Sequence, residues 1–337
     1  MKIALITINQ PSLNSASKLL PYLSEHEVDV YGKKELTHEL SQLNIYSKLD
    51  DILPLAWEKY DAIICILAIG AVVRKIAPLL KDKASDPAVI VINLALDKIV
   101  PLLSGHLGGA NALAEELVSS LPSAINFIST ATDQTNTLAF EMLAKQNGWK
   151  IENLKALARI SNRLLNKERV KVATYENLFK HIPNREYLTR VGFDDIDLDT
   201  VVIAPIVDSK ALTLRPKVYL GIGCNRDTPL EKIERSVENF LANNRLEMSD
   251  IKKIASFEVK ADEEGLLAFA KKYGLEIAFY NKEAINALEN KFSKSASTKF
   301  FGLKGVAEPS AILVSEYQEL IAPKEVYFNS VTIAAAI

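Results

Sequence analysis

Apolar runs and amphipathic segments alternate along the first part of the chain. Largely apolar stretches at residues 2–8, 61–69 and 88–96 predict strands that are buried on both faces. The helical spacing of apolar residues over 108–121 predicts a helix with one exposed polar face. Because buried strands that alternate with helices are typical of βαβ units, we expect an α/β domain over residues 1–147, with a doubly wound, mostly parallel sheet.

The pattern is weaker between residues 148 and 215. A helix is predicted at 151–166, and strands are predicted at 170–174 and 201–206. The acidic stretch between these two strands contains Asp194, Asp195, Asp197 and Asp199. This stretch is either a solvated loop or a cation site. We interpret residues 148–215 as a variable middle region that forms a small α/β segment.

A second α/β domain is predicted over residues 216–337. Strands are expected at 218–222, 254–259 and 276–279, helices at 230–241, 263–273 and 282–289, and a terminal hairpin at 325–335. A segment of about 120 residues is long enough for one hydrophobic core.

Composition and charge exclude several classes of protein. Apolar residues make up 48% of the 337 residues, which is too many for a disordered chain. Lys and Arg number 40 and Asp and Glu number 42, and this net charge of −2 argues against a dedicated nucleic-acid-binding protein. No apolar run reaches the ~18 residues of a membrane span. The N-terminus has no signal-peptide pattern, so we expect a cytoplasmic protein.

Glycine is concentrated at a few junctions between a strand and a helix. The first junction contains Gly70 and Arg74, close to the start of a helix predicted at 71–80. Open α/β sheets bind ligands at the carboxyl ends of their strands. A cation on the first turn of a helix opposes the macrodipole, so Arg74 is either an anion-binding residue or the partner of a nearby carboxylate.

The second junction carries most of the candidate chemistry. Its candidate substrate-binding residues are Ser104, Gly105, Gly108, Gly109 and Asn111. Backbone N–H groups at a helix N-terminus form a binding site for a carboxylate or a phosphate. His106 lies inside this loop, where it is either a structural residue or an acid or base that acts near neutral pH.

The third junction, at residues 129–136, offers Thr130, Thr132 and Asp133. Asp133 or Thr135 either caps the following helix or contributes to a site. Because the carboxyl ends of parallel strands meet at one edge of a sheet, we expect the three junctions to converge on one crevice.

The last domain adds a second group of candidates: Gly221, Gly223, Cys224, Arg226, Lys260, Glu263 and Glu308. Cys224 follows a strand and precedes a helix, a position that lowers a thiol pKa, but it is alternatively a packing residue. Lys260 and Glu263 are alternatively part of a solvated turn. Glu308 alternatively serves only the dipole of its helix.

Local sequence also predicts how the helix at 230–241 begins and which catalytic motifs the chain lacks. We expect Asp227 or Thr228 to cap this helix and Pro229 to be its first residue. Leu102 stands where a Gly-x-Ser-x-Gly motif needs glycine, and Arg226 stands where the dinucleotide-binding fingerprint needs its third glycine. There is no Walker sequence, no His-Glu-x-x-His and no close cysteine pair, so we expect no metal held by the protein.

At these motifs the chain resembles the CbiG family over nearly its whole length. The stretches AIGAVVRKIAPLLKDKASDPAVIVI, VPLLSGHLGGANALA and STATD are similar to the N-terminal region of the family. The stretches GIGCNRDTP, ASFEVKADEEGL, GVAEPSAIL and VTIAAAI are similar to its C-terminal domain. One departure is Asn225, where the family often has Arg, and it argues against a two-arginine clamp with Arg226.

The resemblance implies a hydrolase of cobalamin biosynthesis. Its expected reaction opens the δ-lactone of cobalt-precorrin-5A, a cobalt-bearing tetrapyrrole, and releases acetaldehyde. The cobalt arrives with the substrate, so no cofactor held by the protein is expected. Toward this substrate, we expect His106 to be the general base or proton shuttle, and Asp133 to orient it or to bind substrate. Arg74 and Arg226 are expected to pair with carboxylates of the macrocycle.

Two other functions stand as alternatives. The protein is alternatively a non-catalytic carrier or scaffold that hands corrinoid intermediates to other enzymes of the pathway, since the C-terminal domain alone resembles CobE. A corrinoid methyltransferase is disfavoured, because Gly221 and Gly223 lead directly into polar residues. The expected partner is the tetrapyrrole substrate, without nucleic acid or membrane, and a homodimer is left open.

Overall fold

The computed structural model describes residues 1–34, 36, 43–82, 85–129, 137–289, 292–293 and 302–337. The chain divides into two compact units, Met1–Thr135 and Asn136–Ile337. Within the described residues, the first unit contains one sheet and the second unit contains two. The predicted α/β class is confirmed. The division into three domains at residues 147 and 215 stays a prediction, although each sheet lies within one of the three predicted regions.

The first unit is an open sheet with helices on both faces. Its strands are β1 (Lys2–Thr7), β2 (Glu27–Lys33), β3 (Asn44–Tyr46), β4 (Ala62–Ile66), β5 (Ala88–Ile92), β6 (Lys98–Leu103) and β7 (Ile125–Asn126). Its helices are α1 (Gln10–Leu19), α2 (Leu49–Lys59), α3 (Ile69–Ile76) and α4 (Ala110–Ser120). In the described part of the unit the strand order is β3-β2-β1-β4-β5-β6-β7, and the first five of these strands are parallel.

Burial on both faces explains the largely apolar runs in the sequence. Ile3 and Leu5 of β1 belong to the core cluster that α1 and α4 cover. Ala4 and Ile6 belong to the cluster on the opposite face, which α2 and α3 cover. A parallel sheet that is covered on both sides needs apolar residues at every position, so the predicted strands are found close to their expected places.

Strand β6 is antiparallel to β5, a reversal that the sequence interpretation did not include. The connection between Ile92 and Lys98 is short, whereas a crossover between parallel strands needs about a dozen residues or more. The side-chain oxygen of Asn93 stabilises the turn by accepting the N–H groups of Asp97 (3.1 Å) and Lys98 (3.0 Å). Strand β7 is parallel to β6. The carboxyl ends of β6 and β7 therefore lie at the same end of the sheet as the first residues of β1, β4 and β5.

The second unit contains the middle and C-terminal regions. The middle region has α5 (Phe140–Gln146), β8 (Lys150–Glu152), α6 (Leu157–Leu165), β9 (Val170–Thr174), α7 (Glu176–His181), β10 (Leu188–Val191), β11 (Val201–Ile203) and β12 (Leu212–Arg215). The C-terminal region has β13 (Val218–Cys224), α8 (Leu230–Asn243), β14 (Ile251–Phe257), α9 (Glu264–Tyr273), β15 (Glu276–Tyr280), α10 (Lys282–Ala287), α11 (Ala307–Val314), β16 (Leu320–Tyr327) and β17 (Val331–Ala336). The two sheets have the strand orders β10-β9-β11-β12-β8 and β15-β14-β13-β17-β16.

The middle and C-terminal regions pack against each other within this unit. Apolar side chains of both sheets belong to one continuous core cluster. The rings of Trp149 and Tyr317 meet edge to face, with their centroids 6.3 Å apart. The carboxylate of Glu319 accepts the N–H groups of Glu176 (3.1 Å) and Asn177 (2.7 Å). The weaker sequence pattern of the middle region therefore belongs to an ordered sheet that shares its core with the C-terminal region.

The acidic stretch of the middle region forms ion pairs with basic side chains. Asp197 lies 2.9 Å from the ammonium group of Lys171 and also accepts the hydroxyl of Thr200 at 2.8 Å. Asp199 lies 2.7 Å from the guanidinium group of Arg159. The hydrogen bonds from Lys171 and Thr200 lower the pKa of Asp197 from 3.8 to about 2.

This lowered pKa predicts a small loss of stability in acid. Because the pKa of Asp197 is lower in the folded chain than in the unfolded chain, its contribution is complete above pH 3.8 and is lost as the pH falls toward 2. The pair is exposed, so we expect the contribution to be ~1 kcal/mol or less. Urea unfolding between pH 5 and pH 2.5 should show a flatter pH dependence for Asp197→Asn than for wild type. Asp208→Asn is the control, and equal slopes for wild type and Asp197→Asn would contradict the prediction.

Candidate functional site

The second junction forms a tight turn between β6 and α4. The N–H group of Gly109 donates to the carbonyl of His106 at 3.1 Å. The N–H group of Ala110 donates to the carbonyl of Ser104 at 3.2 Å. Ser104 and Gly109 both have left-handed backbones, with φ values of 55° and 90°. These bonds place His106 in the turn that directly precedes the N-terminus of α4.

Two glycines of this turn are required by the packing of the loop on itself. A Cβ atom at Gly108 would lie 2.4 Å from the Cβ atom of Ser104. A Cβ atom at Gly105 would lie 2.7 Å from the side-chain oxygen of Asn111. Side chains at these two positions would therefore not fit into the loop as it is folded. The predicted substrate contacts of these residues stay predictions.

Ser104 combines two unfavourable features. Its left-handed φ costs ~1 kcal/mol for a residue other than glycine. Its hydroxyl oxygen is buried and has no hydrogen-bond partner in the described part of the chain, which costs about 1–3 kcal/mol. Such features persist chiefly at functional sites. Because Ser104 lies two residues before the half-buried His106, this turn is the leading candidate active site in the first unit.

The first junction differs from its prediction. Helix α3 begins at Ile69, so Gly70 is its second residue and Arg74 lies in its last turn rather than its first. The prediction that Arg74 opposes the macrodipole is therefore wrong, because a cation near a helix C-terminus is favourable. The guanidinium group of Arg74 donates to the carbonyl of Gly70 at 2.8 Å. Their role in substrate binding stays a prediction.

The first two junctions lie at opposite ends of the strands of the sheet. Gly70 follows the carboxyl end of β4, next to β1, where the strand order reverses. Gly108 instead lies at the beginning of β5, since a Cβ atom there would be 3.3 Å from the backbone nitrogen of Ala88. The expected convergence of all three junctions on one crevice is therefore wrong, and its cause is the antiparallel β6. The predicted residues of the third junction, Thr130, Thr132 and Asp133, lie outside the described residues.

The charged candidates of the C-terminal region surround the buried carboxylate of Glu263. This carboxylate accepts the N–H group of Thr228 and the ammonium group of Lys260, both at 3.1 Å. Arg226 donates to Asp262, and its guanidinium group lies 3.7 Å from Glu263. The hydrogen bond from Arg226 lowers the pKa of the Asp262 carboxyl. Two cations thus face two carboxylates, and Glu263, at 3% exposure, is not part of a solvated turn.

The start of α8 also differs from the prediction. Pro229 itself is the N-cap residue, and the helix begins at Leu230 without a side-chain cap. The hydroxyl of Thr228 instead donates to the carbonyl of Asn225 at 2.8 Å. The prediction that Asp227 or Thr228 caps the helix is wrong. The N–H group of Thr228 donates to the carboxylate of Glu263, and its hydroxyl donates to the preceding loop.

Gly221 and Gly223 lie inside β13 rather than in a turn. A Cβ atom at Gly221 would lie 1.8 Å from the carbonyl oxygen of Ala307, at the start of α11. A Cβ atom at Gly223 would lie 2.6 Å from the hydroxyl of Thr332. The close approach that the sequence indicated is therefore an approach of the protein's own backbone and side chains. Substrate binding by these glycines stays a prediction.

Glu308 stabilises two neighbouring segments. Its buried carboxylate accepts the N–H group of Ser293 at 2.8 Å and the N–H group of Lys324 at 3.1 Å. The hydroxyl of Ser293 donates to the same carboxylate at 2.8 Å. Glu308 therefore does more than complement the dipole of α11, and its predicted substrate contact stays a prediction.

The thiol of Cys224 is a packing group with a raised pKa. Burial raises the pKa of Cys224 to about 11, although Lys260 and Arg226 act in the opposite direction. The expectation that its position lowers the pKa is wrong, because desolvation exceeds the effect of the two cations.

We therefore expect Cys224 to resist alkylation. A thiol of ordinary pKa, ~8.5, has about a hundredfold more thiolate at pH 8, and it is also accessible. Iodoacetamide at pH 8 should modify Cys224 of the folded chain at least ~100-fold more slowly than it modifies the thiol of glutathione. The masses of the modified peptides follow the reaction. The urea-unfolded chain is the control and should react at the ordinary rate. Modification of the folded chain at the rate of glutathione would contradict the prediction.

Two further structural findings bear on function. Within the described ranges, no three His, Cys, Asp or Glu side chains are grouped so that they would hold a metal ion. No helix in the part of the chain that the structure describes has the length and apolar character to cross a membrane.

Some residues near the candidate sites were not found from the sequence. Asp262 binds Arg226, and its place two residues after Lys260 was the available signal. The left-handed backbone of Ser104 has no such signal, because serine does not favour that conformation. The exposure of Phe127, at 70%, is visible only once β7 is known to lie at the edge of the sheet.

Comparison with known proteins links these sites to one family. Three family descriptions match the chain in order: Cobalamin synthesis G N-terminal over residues 51–133, Cobalamin biosynthesis central region over 138–214, and Cobalamin synthesis G C-terminus over 218–336. A protein from Priestia megaterium named cobalt-precorrin-5A hydrolase is 32% identical, over 99% of this chain and 94% of its own length. The chain belongs to the CbiG family. This confirms the resemblance that its motifs indicated.

Other relatives support the same placement. A cobalt-precorrin-5A hydrolase from Salmonella typhimurium is 32% identical to this CbiG-family chain over 79% of each protein. Protein CobE from a Sinorhizobium species is 28% identical over 35% of this chain and 79% of its own length. The second similarity covers only part of the chain, as expected from the resemblance to CobE that was noted for the C-terminal domain.

Proposed function

We propose that this protein hydrolyses cobalt-precorrin-5A, opening its δ-lactone and releasing acetaldehyde to give cobalt-precorrin-5B. The observation that carries this proposal is the similarity to the Priestia megaterium hydrolase, which extends over nearly the whole of both chains. Because the two proteins match from end to end, the similarity includes the turn that contains His106 as well as both sheets of the second unit.

The expected chemistry has two steps. Water adds to the lactone carbonyl, the C–O bond of the ring breaks, and the products are a carboxylic acid and a secondary alcohol. The alcohol then loses its proton, the bond from its carbon to the macrocycle breaks, and the macrocycle carbon takes up a proton as acetaldehyde leaves. The protein must therefore hold a water molecule, stabilise an oxyanion and move protons.

The turn between β6 and α4 supplies groups for each of these tasks. We assign His106 as the general base that takes the proton of water and as the shuttle for the second step. The N–H groups of Ala110 and Asn111 already donate to the carbonyls of Ser104 and Gly105, so the contribution we assign to α4 is its dipole, which favours negative charge near the helix N-terminus. The support for this assignment is that strain and an unsatisfied hydroxyl are concentrated at Ser104, in the same turn.

The proposal includes no cofactor held by the protein, because the cobalt enters with the substrate. The expected partner is the tetrapyrrole, and hand-off to other enzymes of the pathway is part of the same proposal. We also propose a cytoplasmic location, which is supported by the two buried free thiols, Cys65 and Cys224, since such thiols are typical of reducing compartments.

The experiment that tests the reaction is an anaerobic incubation of the full chain with enzymatically prepared cobalt-precorrin-5A, followed by the mass of the macrocycle. The proposal predicts a product that has gained the elements of water and lost acetaldehyde. Tight binding with an unchanged macrocycle mass would overturn the hydrolase and favour the carrier. Neither binding nor a mass change would overturn the assigned substrate.

A further inference from the structure

Two strongly exposed apolar side chains lie on β7 and directly after it. Phe127, directly after the strand, is 70% exposed, and Ile125 is 56% exposed. Phe127 is the most exposed large hydrophobic residue in the described part of the chain. The N–H group of Phe127 donates to the carbonyl of Ile99 at 3.0 Å, so the pairing with β6 continues to this residue. An ordered backbone therefore presents these side chains to solvent.

The strand register shows which face of the sheet they occupy. Ile125 is level with Lys98, and Asn126 is level with Ile99, which faces the core under α4. Ile125 and Phe127 therefore point to the opposite face, because side chains alternate along a strand. Val100 of β6 is on that face as well, since it pairs with Val91, a member of the opposite core cluster.

The three side chains Val100, Ile125 and Phe127 form what we call the β6–β7 strip. Val100 of β6 is half-buried, whereas Ile125 of β7 and Phe127, directly after β7, are exposed, and all three face the same side of the sheet. The strip leads toward the turn that contains His106, because Ser104 follows Val100 by four positions, about 13 Å in the direction of the strand. That separation suits one flat ring system that lies on the strip and reaches the turn.

We propose that the β6–β7 strip is the platform on which the macrocycle of the substrate lies flat, with its lactone directed to the His106 turn. This inference rests on the proposed function. An exposed aromatic ring offers offset stacking to a conjugated macrocycle, and exposed apolar patches commonly mark ligand sites. The strip therefore has the chemistry of a site for a broad apolar ring.

The charge at the far end of the strip fits the same ligand. Lys98 is on the same face, since it is level with Ile125, and its side chain is 55% exposed. Its ammonium group is paired with Asp97 at 3.0 Å. An exposed ion pair of this kind is weak, so a carboxylate on the rim of the macrocycle is able to compete with Asp97 for Lys98. An apolar centre with a cation at its edge matches a tetrapyrrole that carries acetate and propionate groups.

The test compares Phe127→Ala and Phe127→Tyr with wild type in two measurements. Binding of cobalt-precorrin-5A is measured by anaerobic absorbance titration, and turnover is measured as acetaldehyde release. Phe127→Ala should raise Kd and KM by about tenfold and leave kcat nearly unchanged, whereas Phe127→Tyr, which keeps the ring, should bind like wild type. The matched control is Phe328→Ala, an exposed phenylalanine in the C-terminal region, and it should match wild type. Because Phe127 is exposed, thermal unfolding of both Phe127 variants should coincide with that of wild type.

The outcomes separate this inference from the proposed function. If wild type binds and turns over the substrate while Phe127→Ala has the same Kd and KM, the strip is not the platform and the hydrolase assignment stands. If Phe127→Ala lowers only kcat, the ring acts on the reaction rather than on binding, and the platform is again overturned. If wild type neither binds nor releases acetaldehyde, the proposed function itself fails.

Discussion

Replacing His106 by alanine is expected to lower the single-turnover rate of acetaldehyde release by ~10²–10⁴-fold, the usual contribution of a general base. The substitution removes the imidazole and leaves the backbone of the turn in place, including the hydrogen bond that the His106 carbonyl accepts from Gly109. We therefore expect the backbone of the turn to keep its conformation and substrate binding to persist. The measurement is acetaldehyde release from an excess of enzyme under anaerobic conditions.

The matched control is His26→Ala in the same unit. His26 hydrogen-bonds Glu116 of α4 at 2.9 Å and has no part in the proposed reaction. It should release acetaldehyde at the rate of wild type. Near-wild-type release by His106→Ala would remove His106 from the catalytic role and leave the turn as a structural or binding element only.

Gly221→Ala should have the largest effect on stability. The added Cβ atom would lie 1.8 Å from the carbonyl oxygen of Ala307 and 2.6 Å from the backbone nitrogen of Ala311. Neither atom belongs to a flexible side chain, so relief requires α11 to move away from β13. We expect a loss of about 3 kcal/mol, the upper end of the usual cost of overpacking, measured as a lower urea midpoint.

Gly192→Ala is the control for this substitution. Its added Cβ atom would be 3.6 Å from the nearest atom, in Asp195, which is an ordinary contact. The backbone at Gly192, with φ −72° and ψ 165°, is open to alanine. The urea midpoint of Gly192→Ala should match or slightly exceed that of wild type. A Gly221→Ala midpoint equal to that of wild type would show that α11 is not packed as described.

The strands and most helices were predictable because burial on both faces leaves a direct mark in the sequence. The direction of β6 was not predicted, since an apolar run looks the same in either direction. One signal was present nevertheless, because the short stretch from Ile92 to Lys98 leaves no room for a crossover helix. That single reversal decides which junctions lie at the same end of the strands. It places Gly70 at one end and the turn that contains His106 at the other.

The site was only partly predictable for a related reason. Glycine clusters correctly indicated close approach, but a glycine does not reveal what approaches it. At Gly221 the neighbour is the backbone of α11, and at Gly108 it is Ser104 of the same loop. Likewise, Cys224 was expected to follow a strand but is the last residue of β13, and burial decides its pKa. Burial depends on packing that a local motif does not contain.

The most direct test of the hydrolase assignment is a single turnover of cobalt-precorrin-5A by an excess of the full chain, with acetaldehyde trapped and counted. The account predicts one acetaldehyde per substrate molecule, released together with the lactone-opened macrocycle. A macrocycle that is bound stoichiometrically but yields no acetaldehyde would contradict the account and identify the protein as a carrier.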